Sequence, residues 1–149
     1  ILLIMTLVFR SVTGGFLATL PMVASVIMMF GLMGYLDIPL NMTTSMLTGI
    51  MVGVGVDYTV HFLWHLRDHI KSGDSLDDAF ATTLRISGKG ILFNGLFVII
   101  GFSALLFSVF VPVQIFGILV MGSISLCLFG ALATLPALIR LINPKFLYR

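Results

Sequence analysis

The sequence predicts an all-α membrane protein: a bundle of four complete transmembrane helices plus a truncated first one, with a short cytoplasmic amphipathic helix. Three observations predict it. Of 149 residues, 59% are hydrophobic and 9% charged, whereas a soluble domain carries roughly a quarter charged residues to cover its surface. The charges, eight Lys+Arg and six Asp with no Glu, are separated by apolar runs long enough to cross a bilayer. The single cysteine, Cys127, excludes a disulfide framework and any cysteine-based metal site. A net charge of +2 carried by so few residues is no nucleic-acid footprint.

The elements follow in order. Residues 1–9 would rise only ~13 Å as a helix, against a hydrocarbon core of ~30 Å, so they read as the tail of a partial span. The chain begins at Ile1 inside this apolar run, and the sequence is therefore expected to be a piece of something longer. It lacks the basic start and small-residue cleavage site of a signal peptide. A second run without charge, Ser11 to Leu36, holds a complete helix over about 16–36, with Pro21 tolerable in its first turns. Asp37, Pro39 and Asn41 then close a tight turn. The third span, 43–66, is apolar except for Asp57, His61 and His65. Gly90 to Ile139 has no charged residue. A helix of that length would be ~75 Å long, so the chain must double back, and Val111-Pro112-Val113-Gln114 is the expected reversal. This gives spans over 91–110 and 113–138.

Between the third and fourth spans lies a loop, 67–90. Within it Ser75-Leu76-Asp77-Asp78 has the form of a helix start, a capping serine with two aspartates at the positive dipole end. Leu76, Ala79, Phe80, Thr83 and Leu84 recur at helical spacing, which predicts a short amphipathic helix lying along the membrane face. If the spans alternate, one side carries Arg10, Arg67, Lys71, Arg85, Lys89, Arg140, Lys145 and Arg149, and the other none. By the positive-inside rule that side, with the C-terminus, is cytoplasmic. Trp64 and Tyr35 fall near opposite helix ends, where amphipathic rings prefer to sit.

Asp57 is the informative position, because it lies near the middle of a span. There an Asp costs about 2.5 to 3.5 kcal/mol on insertion scales, so it should face protein or water. Gly49, Gly53, Asp57 and His61 fall at steps of four on one stripe. The two glycines permit close approach of another helix, which predicts that the stripe faces the bundle interior. Gly55 adds backbone freedom beside the carboxylate. A carboxylate in such a site can load and unload a proton on modest rearrangement, the physics of a relay. Tyr58 can donate or accept but points about 100° away. His61, one turn on, can pass a proton between Asp57 and the inner surface.

Blander readings stand beside these. A membrane Asp can be a static hydrogen-bond lock between helices. His61, His65 and His69 continue at steps of four, and such a pair can chelate zinc, but His69 falls in solvent and no second carboxylate is fixed nearby, so no metal site is expected. Asn94 in the fourth span is a candidate polar partner for Asp57 or a helix-gluing amide. The nine Met and thirteen Phe serve equally as packing bulk or as the lining of a path for an oily substrate.

At Gly49-Ile-Met-Val-Gly-Val-Gly-Val-Asp57-Tyr58-Thr-Val-His61, followed by Arg67, the chain resembles the resistance-nodulation-division (RND) superfamily. It is most similar to exporters of the mycobacterial membrane protein large (MMPL) type, related to the sterol-sensing domains of Patched-like proteins. Leu40-Asn41, the acidic-started loop, Ser87-Gly-Lys-Gly-Ile-Leu-Phe-Asn94 and Leu135-Pro136-Ala137-Leu138 extend the likeness over essentially the whole chain. The resemblance implies a transporter of two similar halves, each with six spans and a large extracytoplasmic domain. This sequence would be spans two to six of one half, on its closing motifs the C-terminal one. It further implies that Asp57 and Tyr58 match the pair that carries protons to drive export of lipids or other hydrophobic compounds. No other cofactor is implied. The partners implied are the other half, the extracytoplasmic domains, membrane lipids and a hydrophobic substrate, in a plasma or inner membrane.

Two rivals can be weighed. Intramembrane aspartyl proteolysis needs two carboxylates sharing a proton, with an Asp directly after Gly-x-Gly. Here Val56 intervenes and Asp57 is the only aspartate inside a span, so no enzyme is expected. The stronger rival is a module that senses sterol or another lipid without pumping.

Overall fold

The computed structural model describes residues 2–9 and 11–142. Among them the secondary structure is helical throughout: α1 (Leu2–Phe9), α2 (Val12–Tyr35), α3 (Met42–Lys71), α4 (Leu76–Thr83), α5 (Lys89–Ser103), α6 (Val111–Phe129) and α7 (Leu135–Ile142). Four helical stretches are long and apolar enough to cross a membrane: Val12–Tyr35, Thr44–Lys71, Leu76–Phe107 and Val111–Leu141. This is an all-α membrane bundle, with the eight-residue α1 packed on α2.

Capping fixes where these helices start. Ser11 Oγ accepts from Gly14 N at 3.4 Å, which starts α2 four residues before the expected position. After Tyr35 the chain turns through Asp37 at φ 52, a left-handed conformation that Asp tolerates better than most residues. Ile38 N closes the turn on Met33 O at 2.9 Å. Asn41 and Thr44 then form a reciprocal capping box: Thr44 N donates to Asn41 Oδ1 at 2.9 Å, and Asn41 N to Thr44 Oγ1 at 2.8 Å. Two of the orphan donors at the start of α3 are thereby satisfied.

Three further boundaries differ from the sequence expectation. First, α3 does not stop at Leu66 but runs to Lys71, a length of ~45 Å. The loop that follows shrinks to Ser72–Ser75, with Gly73 at φ +98. Second, α4 starts where Ser75 predicts, with Asp78 N donating to Ser75 Oγ at 3.2 Å, but it is no separate surface helix. A π-helical turn, Leu84–Gly88, joins it to α5 with helical dihedrals throughout. No residue there could stop a helix: there is no proline, and Gly88 keeps φ −60. We refer to the joined helix as α4–α5. The reversal before α6 also moves forward, to Ser108–Phe110. Gln114 Nε2 donates to Ser108 O at 2.7 Å and Phe110 N to Ser108 Oγ at 3.1 Å, and Pro112 sits in the first turn of α6, where a missing N–H costs nothing. A second π-helical turn, Gly130–Thr134, joins α6 to α7.

The core is built around α6, which contacts α2, α3 and α5. From α3 it takes Leu47, Met51, Tyr58, Phe62 and Leu66, each 1% exposed or less. Ser25 Oγ of α2 donates to its own Pro21 O at 2.9 Å and lies 3.2 Å from Leu126 O of α6. The α4–α5 helix is peripheral: only 11% of its apolar window is buried, against 50% for Val111–Leu141.

At one end of the bundle Arg140 Nη2 donates to Asp77 Oδ1 at 3.0 Å, and its guanidinium lies 5.1 Å from the Phe80 ring centroid. Arg67, Lys71, Arg85 and Lys89 mark this same end, because α3 finishes and α4–α5 begins there. Arg10, Lys145 and Arg149 lie outside the described residues. Exposed ion pairs contribute ~0–1 kcal/mol. Asp77→Asn is therefore expected to shift stability by less than about 1 kcal/mol, and Arg140→Ala by more, since it also uncovers Phe80. Thermal unfolding of the two variants in one detergent checks that order.

Candidate functional site

Asp57 is the sixteenth of the thirty residues of α3, so it sits at the helix midpoint with apolar turns on both sides. Its Oδ1 lies 3.4 Å from His61 Nε2, one turn further on. Both side chains are open, at 56% and 62% exposure. They form one wall of a groove of about 290 Å³, which Tyr58 and His65 complete from α3. The facing wall is the α4–α5 helix, contributing Ile86, Ser87, Gly90, Ile91 and Asn94. Asp57, Tyr58, His61 and Asn94, singled out on separate grounds in the sequence, thus meet at one place. The π-helical turn forms part of the far wall, and such insertions are frequent at functional sites.

The direction of the stripe differs from the expectation. Gly49, Gly53, Asp57 and His61 do share a face, but it turns away from the core of the described residues. All four are exposed, and a Cβ built on Gly49 or Gly53 meets nothing within 4 Å. The reason is competition between faces: the large apolar residues Leu47, Met51, Phe62 and Leu66 occupy the opposite side of α3 and draw α2 and α6 there. Gly55 works by close approach and not by backbone freedom. It is helical, its added Cβ would lie 3.0 Å from Met22 Cγ and 3.5 Å from Cys127 Sγ, and its carbonyl accepts from Thr59 Oγ1 at 2.8 Å.

Tyr58 turns inward, as its 100° offset from Asp57 requires, and is 1% exposed. Its phenol oxygen, Ser87 Oγ and Thr83 Oγ1 are buried with no hydrogen-bond partner among the described residues. Buried hydroxyls carry a desolvation penalty of roughly 1–3 kcal/mol when unsatisfied, so Tyr58 and Ser87, which both line the groove, hold unused capacity beside Asp57. Periodicity does not place Ser87 at the site, because it sits in the π-helical turn Leu84–Gly88, which shifts the register of the helix and leaves no mark in the spacing. His65, which its spacing marks only as a zinc candidate, also lines the groove. Among the described residues no three His, Cys, Asp or Glu side chains gather as metal ligands would.

The family whose pattern matches this chain is the MMPL family, over residues 1–147. The chain belongs to the MMPL family. Membership fits the string Gly53-Val-Gly-Val-Asp57-Tyr58 and an RND-type membrane unit. A relative within reach of this MMPL chain is the protein named "Putative membrane protein MJ1562" of Methanocaldococcus jannaschii, 31% identical over 139 residues. The alignment covers 93% of this chain but 36% of that protein, so the chain spans about a third of its relative's length. No solved structure matches the chain. The apolar helices and the relation to a membrane protein make this MMPL member a multi-pass membrane protein.

Proposed function

We propose that this unit is the membrane part of one half of a proton-driven MMPL-type transporter that exports lipids or other hydrophobic compounds. In this reading Asp57 is the carboxylate that takes up and releases the proton, His61 relays it, and Tyr58, Asn94 and Ser87 supply hydrogen bonds around it. The protein is a transporter and not an enzyme, with protons as the coupling ion. It sits in the plasma or inner membrane with its basic end in the cytoplasm.

The observation that carries the reading is a carboxylate at the midpoint of an apolar span, opening outward on a groove with a histidine 3.4 Å away. Against lipid that placement costs several kcal/mol, so protein or water must cover the stripe. The other half of the same transporter supplies such a cover, and the bare glycines at Gly49 and Gly53 give its helix a flat approach. Substitution there tests the cover. Gly53→Leu is expected to leave the fold of this unit intact, since nothing lies within 4 Å of the new Cβ, but to reduce transport by the full-length protein at least tenfold. Wild-type transport by the Leu variant would mean that no helix packs on the stripe.

A second reading has an observation of its own. The outer face of α2 carries an apolar concavity of about 340 Å³ lined by Phe16, Thr19, Leu20, Val23, Ala24 and Ile27, of a size for a lipid chain or sterol. A sensing module would use it without pumping. Transport of a fluorescent lipid by the full-length protein in proteoliposomes, driven by an imposed pH gradient, separates the two: a pump loses it in Asp57→Asn, while a sensor never shows it and keeps its lipid response in that variant.

A further inference from the structure

The chain has three histidines, and all three lie on one line of α3, at His61, His65 and His69. Each is four residues from the last, and the line continues the stripe of Asp57. Four residues advance ~6 Å along a helix, and side chains at that spacing are neighbours on its surface. The upper rung is in contact with the carboxylate, His61 Nε2 to Asp57 Oδ1 at 3.4 Å. The middle rung, His65, lines the same groove. The lowest, His69, places Nδ1 3.1 Å from Asp74 Oδ2 just past the helix end. That pair sits at the basic end of the bundle, with both side chains partly open to solvent, at 27% and 43%.

We propose that His65 and His69, ending at Asp74, extend the relay of Asp57 and His61 into a continuous proton path between the mid-span carboxylate and water at the basic end. The proposal rests on the proton-relay reading above and adds its route. Protonated Asp57 gives its proton to the free nitrogen of neutral His61, leaving a carboxylate and an imidazolium. The imidazolium passes a proton from its other nitrogen to His65, directly or through one water, and His65 does the same to His69. Asp74 accepts it and releases it to solvent. Each ring gains one proton and loses one, so the three histidines and Asp74 return to their starting charge, and Asp57 is left as a carboxylate that the next proton reloads. An imidazole can do this because one nitrogen accepts while the other donates.

The surroundings suit a path confined to α3. The facing wall of the groove, Ile86, Ser87, Gly90, Ile91 and Asn94, contains no group that titrates. Tyr58 is the remaining acidic group in the groove, and its ring turns into the core. Arg67, Asp68 and Lys71 share the last two turns of α3, and Arg85 and Lys89 stand on α4–α5. These charges flank the route at its mouth.

The test uses the full-length transporter in proteoliposomes loaded with a pH-sensitive dye, with proton movement followed after an acid jump under a fixed membrane potential. Asp57→Asn, His65→Gln and His69→Gln are compared with wild type, each with and without added imidazole. Positioned proton-transfer groups contribute typically 10²–10⁴-fold. His65→Gln and His69→Gln are expected to slow proton movement at least tenfold, with imidazole restoring a large part of it. A histidine that merely holds structure would not be rescued by a diffusing base, so a slowed variant that imidazole leaves slow overturns the path. Loss of flux in Asp57→Asn alongside wild-type flux in both histidine variants overturns the path and leaves the relay standing. Wild-type flux in Asp57→Asn overturns the relay, and the path with it.

Discussion

Asp57→Asn is expected to abolish pH-gradient-driven transport by the full-length protein, reducing it to the level of protein-free vesicles, while leaving the fold unchanged. The substitution keeps the shape of the side chain and removes the one property the relay needs, a proton that can be taken up and released. Its structural cost is small. The carboxylate is more than half exposed, and the ion-pair partner found for it is His61 on the same helix, so the change in stability should stay within ~0.5 kcal/mol, as for an exposed site. The loss of driving force is large by comparison: moving one charge through 100 mV is worth about 2.3 kcal/mol, and each transport cycle would lose it. Transport of a fluorescent lipid under an imposed gradient, together with thermal unfolding of the same preparation, checks both halves of the expectation. Retention of the wild-type rate across the gradient would falsify the role of Asp57.

Gly15→Ala is expected to destabilise the docking of α1 on α2 by about 1–3 kcal/mol, the usual cost of overpacking a closed contact. A Cβ built there would lie 2.8 Å from Thr6 N and 3.0 Å from Thr6 Cα. Those are backbone atoms and cannot rotate aside. Gly95 makes an instructive contrast: its obstacles are the branch carbon and methyls of the Leu128 side chain, at 2.5 to 2.9 Å, and since a side chain can move where backbone cannot, Gly95→Ala should cost less. Met5 reports on the contact, since it is 2% exposed beneath it. In a Met5→Cys background, Gly15→Ala should lower the unfolding temperature and make position 5 reactive to a thiol reagent, while Cys127, 3% exposed, stays protected. An unchanged unfolding temperature with position 5 still protected would show that α1 can yield at no cost.

Much of the site was legible before any coordinates. Asp57 declares itself because an ionisable residue in the centre of an apolar run has few structural excuses, and helical spacing alone put His61 beside it. The capping serine Ser75 likewise marks the start of α4, whereas Asn41, expected to close a turn, also caps α3. Other features left no local trace. Ser87 owes its place to a π-helical turn that shifts the register of α4–α5, and no residue type signals such a turn. The stretch 67–90, expected to be a loop carrying one short surface helix, is helical except at Ser72–Ser75, because Ile70, Phe80 and Thr83 are buried against neighbouring elements.

The sequence by itself determined what is set by transfer free energy and short-range geometry: that the chain lies in a membrane, that four runs are long and apolar enough to cross it, that Arg67, Lys71, Arg85, Lys89 and Arg140 collect at one end, and that Asp57 is the costly exception. Only the tertiary structure decided which way Asp57 looks. Periodicity defines a stripe but carries no sign, and glycines that permit close approach do not say whose helix approaches. That choice was made by the apolar bulk of Leu47, Met51, Phe62 and Leu66 on the other side of α3, which drew α2 and α6 to itself and left the carboxylate, its histidines and the bare glycines on an open face.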